Sequence, residues 1–209
     1  MNLPNKITVA RIALTGIIIG ILLFPFDAVG LSFPRLFINE SIVVNVKYLI
    51  VGVLFVIASL TDFVDGRIAR KYNLVTDLGK MLDAIADKIL VDSVLIILAS
   101  SGFISPVIAV IIIVRDIIVN AVKMAAGNAG KVVAASWTGK VKTTFQMIGI
   151  TLTLFYNLPF ELINIRISDI TLIIACVLAI VSAIQYINAN KQYISEKPVK
   201  NEDIEKIDV

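Results

Sequence analysis

The chain has 209 residues, of which 58% are hydrophobic and 17% charged, and its mean hydropathy is +0.92. That balance excludes an ordinary soluble domain and reads as an integral membrane protein. Histidine is absent and there is one cysteine, Cys176, which excludes histidine acid–base chemistry, histidine-ligated metals and an internal disulfide.

Met1 to Thr8 lead into an apolar run over 12–24 that Pro25 closes. Phe24-Pro25-Phe26-Asp27 offers no small-x-small cleavage site, so the run is expected to be a retained first span rather than a signal peptide. Asn5 or Thr8 is expected to cap this helix, or a short interfacial one before it, with Pro4 at the boundary. Residues 27–41, with Gly30, Pro34 and Asn39, are expected to form a loop. Hydrophobic segments follow at 42–60, 81–100, 104–121, 141–156 and 167–187, each near the roughly 17–25 residues of a spanning helix.

The expected fold is therefore an all-α membrane bundle of six transmembrane helices, a single domain over 1–190 with a polar tail over 191–209. Basic residues are retained on the cytoplasmic side. An even number of spans puts both termini there, together with the loops at 67–71 and between the fourth and fifth spans. Of the 19 basic residues, only Arg35, Lys47 and Arg166 fall on the other side. The localisation expected is a cell membrane, multi-pass, with no nucleic-acid partner and with membrane lipids around it.

Within this hydrocarbon stands a cluster of acids, in the pattern Asp62-x2-Asp65-Gly66-x2-Ala69-Arg70-x8-Gly79-x3-Asp83-x3-Asp87. A carboxylate costs about 2.5–3.5 kcal/mol at a helix centre on insertion scales, so acids in a span point to function. Asp62 and Asp65 share a helix face at the cytoplasmic end of the second span, and Gly79, Asp83 and Asp87 share one at the start of the third. The two helices are expected to form a hairpin on which four carboxylates converge. Four such charges repel and protonate unless cations hold them, so one or two divalent ions are expected there, Mg²⁺ first and Mn²⁺ as the alternative. Gly66 and Gly79 lack the Cβ that would keep a ligand or a second helix from the backbone, and Arg70 offers a bidentate contact to phosphate. Metal, arginine and open backbone together are equipment for phosphoryl transfer. The competing view pairs these acids with neighbouring Arg and Lys at a solvated helix end.

The stretch 62–87 resembles the signature of the CDP-alcohol phosphotransferase family at all eight fixed residues over 26 positions. From Pro4-Asn5-x2-Thr8-x2-Arg11 to Gly139-Lys140-x-Lys142-Thr143-x2-Gln146, the chain is most similar to bacterial members whose acceptor is glycerol 3-phosphate. The resemblance implies that Asp62, Asp65 and Asp83 hold the metals and that Asp87 touches a metal and serves as general base. It implies that Gly66, Ala69, Arg70 and Gly79 line the site for CDP-diacylglycerol. The acceptor hydroxyl would attack the β-phosphorus and CMP would leave. A cytoplasm-facing active site in a bacterial membrane and a homodimer are implied too.

On the acceptor side, Asp116, Asn120 and Lys123 form one polar stripe with Arg115 beside it, and Gly139, Lys142, Thr143 and Gln146 form another. Their cations suit an acceptor that carries phosphate, such as glycerol 3-phosphate. The expected contacts are Arg115, Asn120, Lys123, Lys140 and Lys142. Inositol phosphate is the alternative acceptor. A divalent-cation transporter is the alternative class, disfavoured because the acids sit at one edge beside Arg70. Asp77 reads as the cap of the third span, and Trp137 as an interfacial anchor. Ser136 is a weaker phosphate contact. Asp92 lies roughly 7 Å deeper than Asp87 and is expected to pair with a base from another span.

Overall fold

The computed structural model describes residues 3–38, 42–71, 76–128, 130, 133, 134 and 136–194, with backbone alone at 3, 4, 63–71, 77, 78, 80, 128, 193 and 194. The first helix, α1, runs over Leu3–Leu23, well ahead of the apolar run at Ile12. Asn5 and Thr8 therefore lie inside it rather than at its cap. They are buried with Arg11 and Thr15 on one face, at spacings of three and four, and this packing carries the helix through residues that hydropathy alone assigns to its approach.

The expected loop over 27–41 is in large part ordered. A 3₁₀ turn covers Phe26–Val29, and strand β1 (Arg35–Ile38) pairs antiparallel with β2 (Ile42–Asn45), Arg35 opposite Asn45 and Ile38 opposite Ile42. The β-branched run Ile42-Val43-Val44 favours a strand, and it alternates as one, with Val43 exposed and Val44 buried. The chain is predominantly α-helical, as expected, with this short hairpin added to the helices, and the second helix starts at Val46 rather than at 42.

Helix α2 spans Val46–Lys71 and α3 spans Asp77–Ser100. The 26 residues of α2 extend about 39 Å, longer than the roughly 30 Å of a bilayer's hydrocarbon. The cap of α3 is Thr76, whose side chain accepts from Gly79 N, and not Asp77, which is the first helical residue. Helices α4 (Pro106–Asn128), α5 (Trp137–Leu154), α6 (Ile167–Ala189) and the single turn α7 (Lys191–Ile194) complete the chain. The tail over 195–209 lies outside the described residues.

The packing is two triplets. Helix α1 packs against both α2 and α3, which barely touch each other, so the expected hairpin is wedged open by the first helix. In the second triplet α6 is central, against α4 and α5. At Gly149 a Cβ would stand 2.7 Å from the Leu172 side chain, which fixes how closely α5 and α6 approach. Phe55, Leu90, Leu95, Leu98, Ile112 and Ile150 fill the core where the triplets meet.

Outward faces are apolar. Val107, Val110, Val114 and Ile117 on α4, and Ile170, Ile173, Val177, Ile180 and Ile184 on α6, are exposed at helical spacing. Among the described residues two helices, α1 and α6, are long and apolar enough to cross a membrane, and only 28% and 33% of their apolar windows are buried. A core helix of a soluble protein would hide that surface, so the chain is an α-helical membrane protein.

Candidate active site

The acid cluster is assembled by α1. The Arg11 side chain is fully buried, and its two terminal nitrogens donate to carboxylates on different helices: Nη1 to Asp62 Oδ1 on α2, and Nη2 to Asp83 Oδ1 on α3 at 2.8 Å. The planar fork of a guanidinium serves two acids at once, as an ammonium does poorly. Asp62 and Asp83 keep 34% and 44% of their side-chain surface, so the carboxylates are covered on the Arg11 side and open on the other.

The N-terminal turns of α1 also dock on the start of α3. Asn5 Nδ2 donates to Thr76 Oγ1 at 3.4 Å, and Thr76 in turn accepts from Gly79 N at 3.0 Å. A Cβ at Gly79 would lie 2.6 Å from Asn5 Oδ1 and 2.9 Å from Thr76 Oγ1. The space this glycine leaves is thus used by a second helix, one of the two uses open to it from sequence. Asp87, one turn beyond Asp83, is half-buried and within electrostatic reach of Arg11, Asp83, Asp116 and Lys142. Asp65, Gly66, Ala69 and Arg70 fall on the backbone of α2, and their side chains lie outside the described residues.

Hard carboxylate oxygens from α2 and α3 converge on one cationic group. Carboxylate oxygens are the chemistry that Mg²⁺ or Mn²⁺ takes, although among the described residues three such side chains do not come together as a metal site, and the Asp65 side chain lies outside those residues.

The second cluster inverts the charges. Asp116 on α4 accepts from Arg115 Nη1 at 2.7 Å and from Lys142 Nζ on α5 at 3.0 and 2.9 Å. Lys142 is buried to 2% exposure. Arg115 Nε donates to Ser182 Oγ on α6 at 2.9 Å, and its guanidinium carbon lies 5.9 Å from the Tyr186 ring centre, with Lys123 Nζ at 5.5 Å, in cation–π range. Tyr186 also secures the approach to α5, since its hydroxyl accepts from Ser136 N at 2.8 Å and donates to Ala134 O at 3.2 Å. Ser136 caps α5 through Gly139 N at 3.1 Å, so its hydroxyl has a structural task.

Of the five residues expected to meet acceptor phosphate, Arg115 and Lys142 are brought together and Lys123 flanks them across Tyr186. Asn120 is half-buried and Lys140 exposed, and no described contact draws either into the cluster. Of the stripe on α5, Lys142 and Gln146 are buried while Thr143 faces out. Trp137 is 77% exposed, as an anchor would be. Asp92 is within electrostatic reach of Lys142 on α5 and of Lys88 on its own helix, and no described ion pair joins it to either.

Sequence reasoning missed the partners of Arg11 and the roles of Ser182 and Tyr186. The available signal was polarity inside hydrocarbon: an arginine beside an apolar run, and a serine and tyrosine four apart in α6.

Comparison with known proteins decides the family. A profile described as CDP-alcohol phosphatidyltransferase matches residues 1–181. The chain belongs to the CDP-alcohol phosphatidyltransferase family. Among relatives, a Bacillus subtilis protein named CDP-diacylglycerol–glycerol-3-phosphate 3-phosphatidyltransferase is 43% identical over 189 residues, 90% of this chain and 95% of its own. Proteins of the same name from Rickettsia bellii and Haemophilus influenzae are 36% and 33% identical, over 92% and 91% of this chain and 97% and 94% of theirs. For a CDP-alcohol phosphatidyltransferase, the pairing of an acid cluster with a cation cluster has a chemical sense: one can hold counter-ions for a pyrophosphate, the other a phosphate on the acceptor. The resemblance carried by residues 62–87 agrees with this membership.

Proposed function

We propose that this chain transfers the phosphatidyl group from CDP-diacylglycerol to glycerol 3-phosphate, giving phosphatidylglycerophosphate and CMP. The observation that carries the reading is the apposition of two clusters of opposite sign, Asp62, Asp83 and Asp87 on one side and Arg115 and Lys142 on the other, with Asp87 in electrostatic reach of both. The names of the relatives, which align over at least nine-tenths of this chain, supply the substrates.

In this reading Asp62, Asp65, Asp83 and Asp87 would hold two divalent ions, Mg²⁺ or Mn²⁺, whose chemistry is to neutralise the pyrophosphate. Gly66, Ala69, Arg70 and Gly79 would border the CDP-diacylglycerol site. Arg115 and Lys142, flanked by Lys123, would bind the acceptor's phosphate, with Asn120 and Lys140 at the margin. The Asp87 carboxylate takes the proton of the acceptor hydroxyl. The acceptor oxygen then forms a bond to the β-phosphorus, the bond from that phosphorus to the CMP oxygen breaks, and CMP leaves with the electron pair. No covalent intermediate on the protein is needed. Six spans, cytoplasmic termini, an active site facing the cytoplasm and a homodimer belong to the same proposal. The distribution of basic residues and the apolar outer faces of α4 and α6 support it.

Purified protein incubated with CDP-diacylglycerol, Mg²⁺ and a panel of acceptors is expected to release CMP with glycerol 3-phosphate. Release with inositol phosphate alone would replace the acceptor. Absence of CMP with every acceptor would overturn the transferase reading.

A further inference from the structure

Arg11 has no part in the chemistry above, yet it is the most deeply buried charge among the described residues near the acids. Its side chain shows no exposed surface, so it does not reach a substrate phosphate. Its terminal nitrogens are given to Asp62 and Asp83, which belong to helices that scarcely touch and are joined through α1. Asn5 binds the cap of α3, so α1 is anchored on α3 ahead of the arginine as well, while Thr15 Oγ1 donates back to Arg11 O at 2.8 Å within α1.

We propose that Arg11 is a positioning residue that stands in for the divalent ions between Asp62 and Asp83. The proposal rests on the metal reading given above. Two carboxylates facing each other across two helices repel, and without a cation they separate or protonate. The guanidinium approaches from the buried side and removes that repulsion while leaving the open side to ions from solvent. The acids are thus held in place before any ion arrives, and afterwards guanidinium and ions share the same carboxylates. Arg11 therefore lowers the dependence of the fold on divalent metal, and it opposes ion binding by its like charge.

The test is thermal unfolding of the full chain in detergent, in EDTA and in saturating Mg²⁺. In the wild-type protein Mg²⁺ is expected to raise the Tm, since a ligand that binds only the folded state stabilises it. In Arg11→Gln the Tm in EDTA is expected to fall by roughly 10 °C, and the rise on adding Mg²⁺ is expected to exceed that of the wild type, with half the rise reached at a several-fold lower Mg²⁺ concentration. Arg11→Lys keeps the charge and loses the fork; it is expected to show the same enlarged rise in smaller degree, and it carries the test if the glutamine variant does not fold. An equal fall in EDTA and in Mg²⁺, leaving the rise unchanged, would mean that Arg11 only packs, and would overturn the proposal. A wild-type Tm that responds to neither Mg²⁺ nor Mn²⁺ would instead overturn the metal reading itself, and this inference with it.

Discussion

The two charged clusters are mirror images in composition and opposites in exposure. In the first, one cation on the central helix α1 joins acids from α2 and α3; in the second, one acid on α4 joins its neighbour Arg115 to Lys142 from α5, with α6 as the central helix. The acids of the first cluster keep a third or more of their surface, whereas Arg115, Asp116 and Lys142 of the second keep 11%, 18% and 2%. A half-exposed carboxylate can exchange one cation for another at small cost, while a buried triad must keep its internal partner until a ligand of equal charge replaces it. In the proposed reaction the first cluster would take a counter-ion from solution, and the second an anion that arrives with its own charge.

The most severe way to break the contrast is Asp87→Asn, at the residue that feels both clusters. Turnover is expected to fall about 10²–10⁴-fold, the usual contribution of a general base, with CDP-diacylglycerol binding retained; CMP release and lipid binding measured in parallel check this, and near-normal turnover would remove Asp87 from that role. Asp116→Asn attacks the second cluster alone. Breaking a buried pair on one side costs about 3–5 kcal/mol, and unlike the loss of Arg11 it should not be offset by Mg²⁺, so a melt with and without the ion separates the two halves. Its KM for glycerol 3-phosphate is expected to rise as the two cations splay, with the KM for CDP-diacylglycerol unchanged. The smallest effect concerns the docking of α1. Gly79→Ala places a methyl group against Asn5 and Thr76 and is expected to lose about 1–3 kcal/mol. The loss should shrink in an Asn5→Ala background, because the closest atom a Cβ would meet is Asn5 Oδ1; an unchanged loss would place the strain elsewhere.

What the residues disclose before folding follows from the range of the forces involved. Six long helices are legible because each contains an apolar run, although among the described residues only α1 and α6 are long and apolar enough to cross a membrane. The helix ends are not legible. Helix α3 starts four residues before Met81, and α1 nine before Ile12, because packing extends a helix into polar residues that hydropathy does not count. The β1–β2 hairpin escaped notice because Ile42-Val43-Val44 reads equally as the start of a span. The approach of Asp62 and Asp83 was legible since their spacing is local to two helices, whereas the Asp65 side chain lies outside the described residues. The bond from Arg11 to Asp83 joins residues 72 apart, and no periodicity reports that α1 rather than α2 lies beside α3. Asp116 was visible as part of a stripe, but its hold on Lys142 depends on how α4 and α5 are set against α6.

The buried face of α1 also has a bearing on how the chain is made. The acids that Arg11 binds follow it by 51 and 72 residues, which at roughly 5–20 residues per second is an interval of several seconds during synthesis. Throughout that time the first helix carries an arginine whose acids do not yet exist. The contacts that bury this charge form only when α2 and α3 have been made. Anchoring of the first helix and assembly of the acid cluster are one event in the life of the nascent chain.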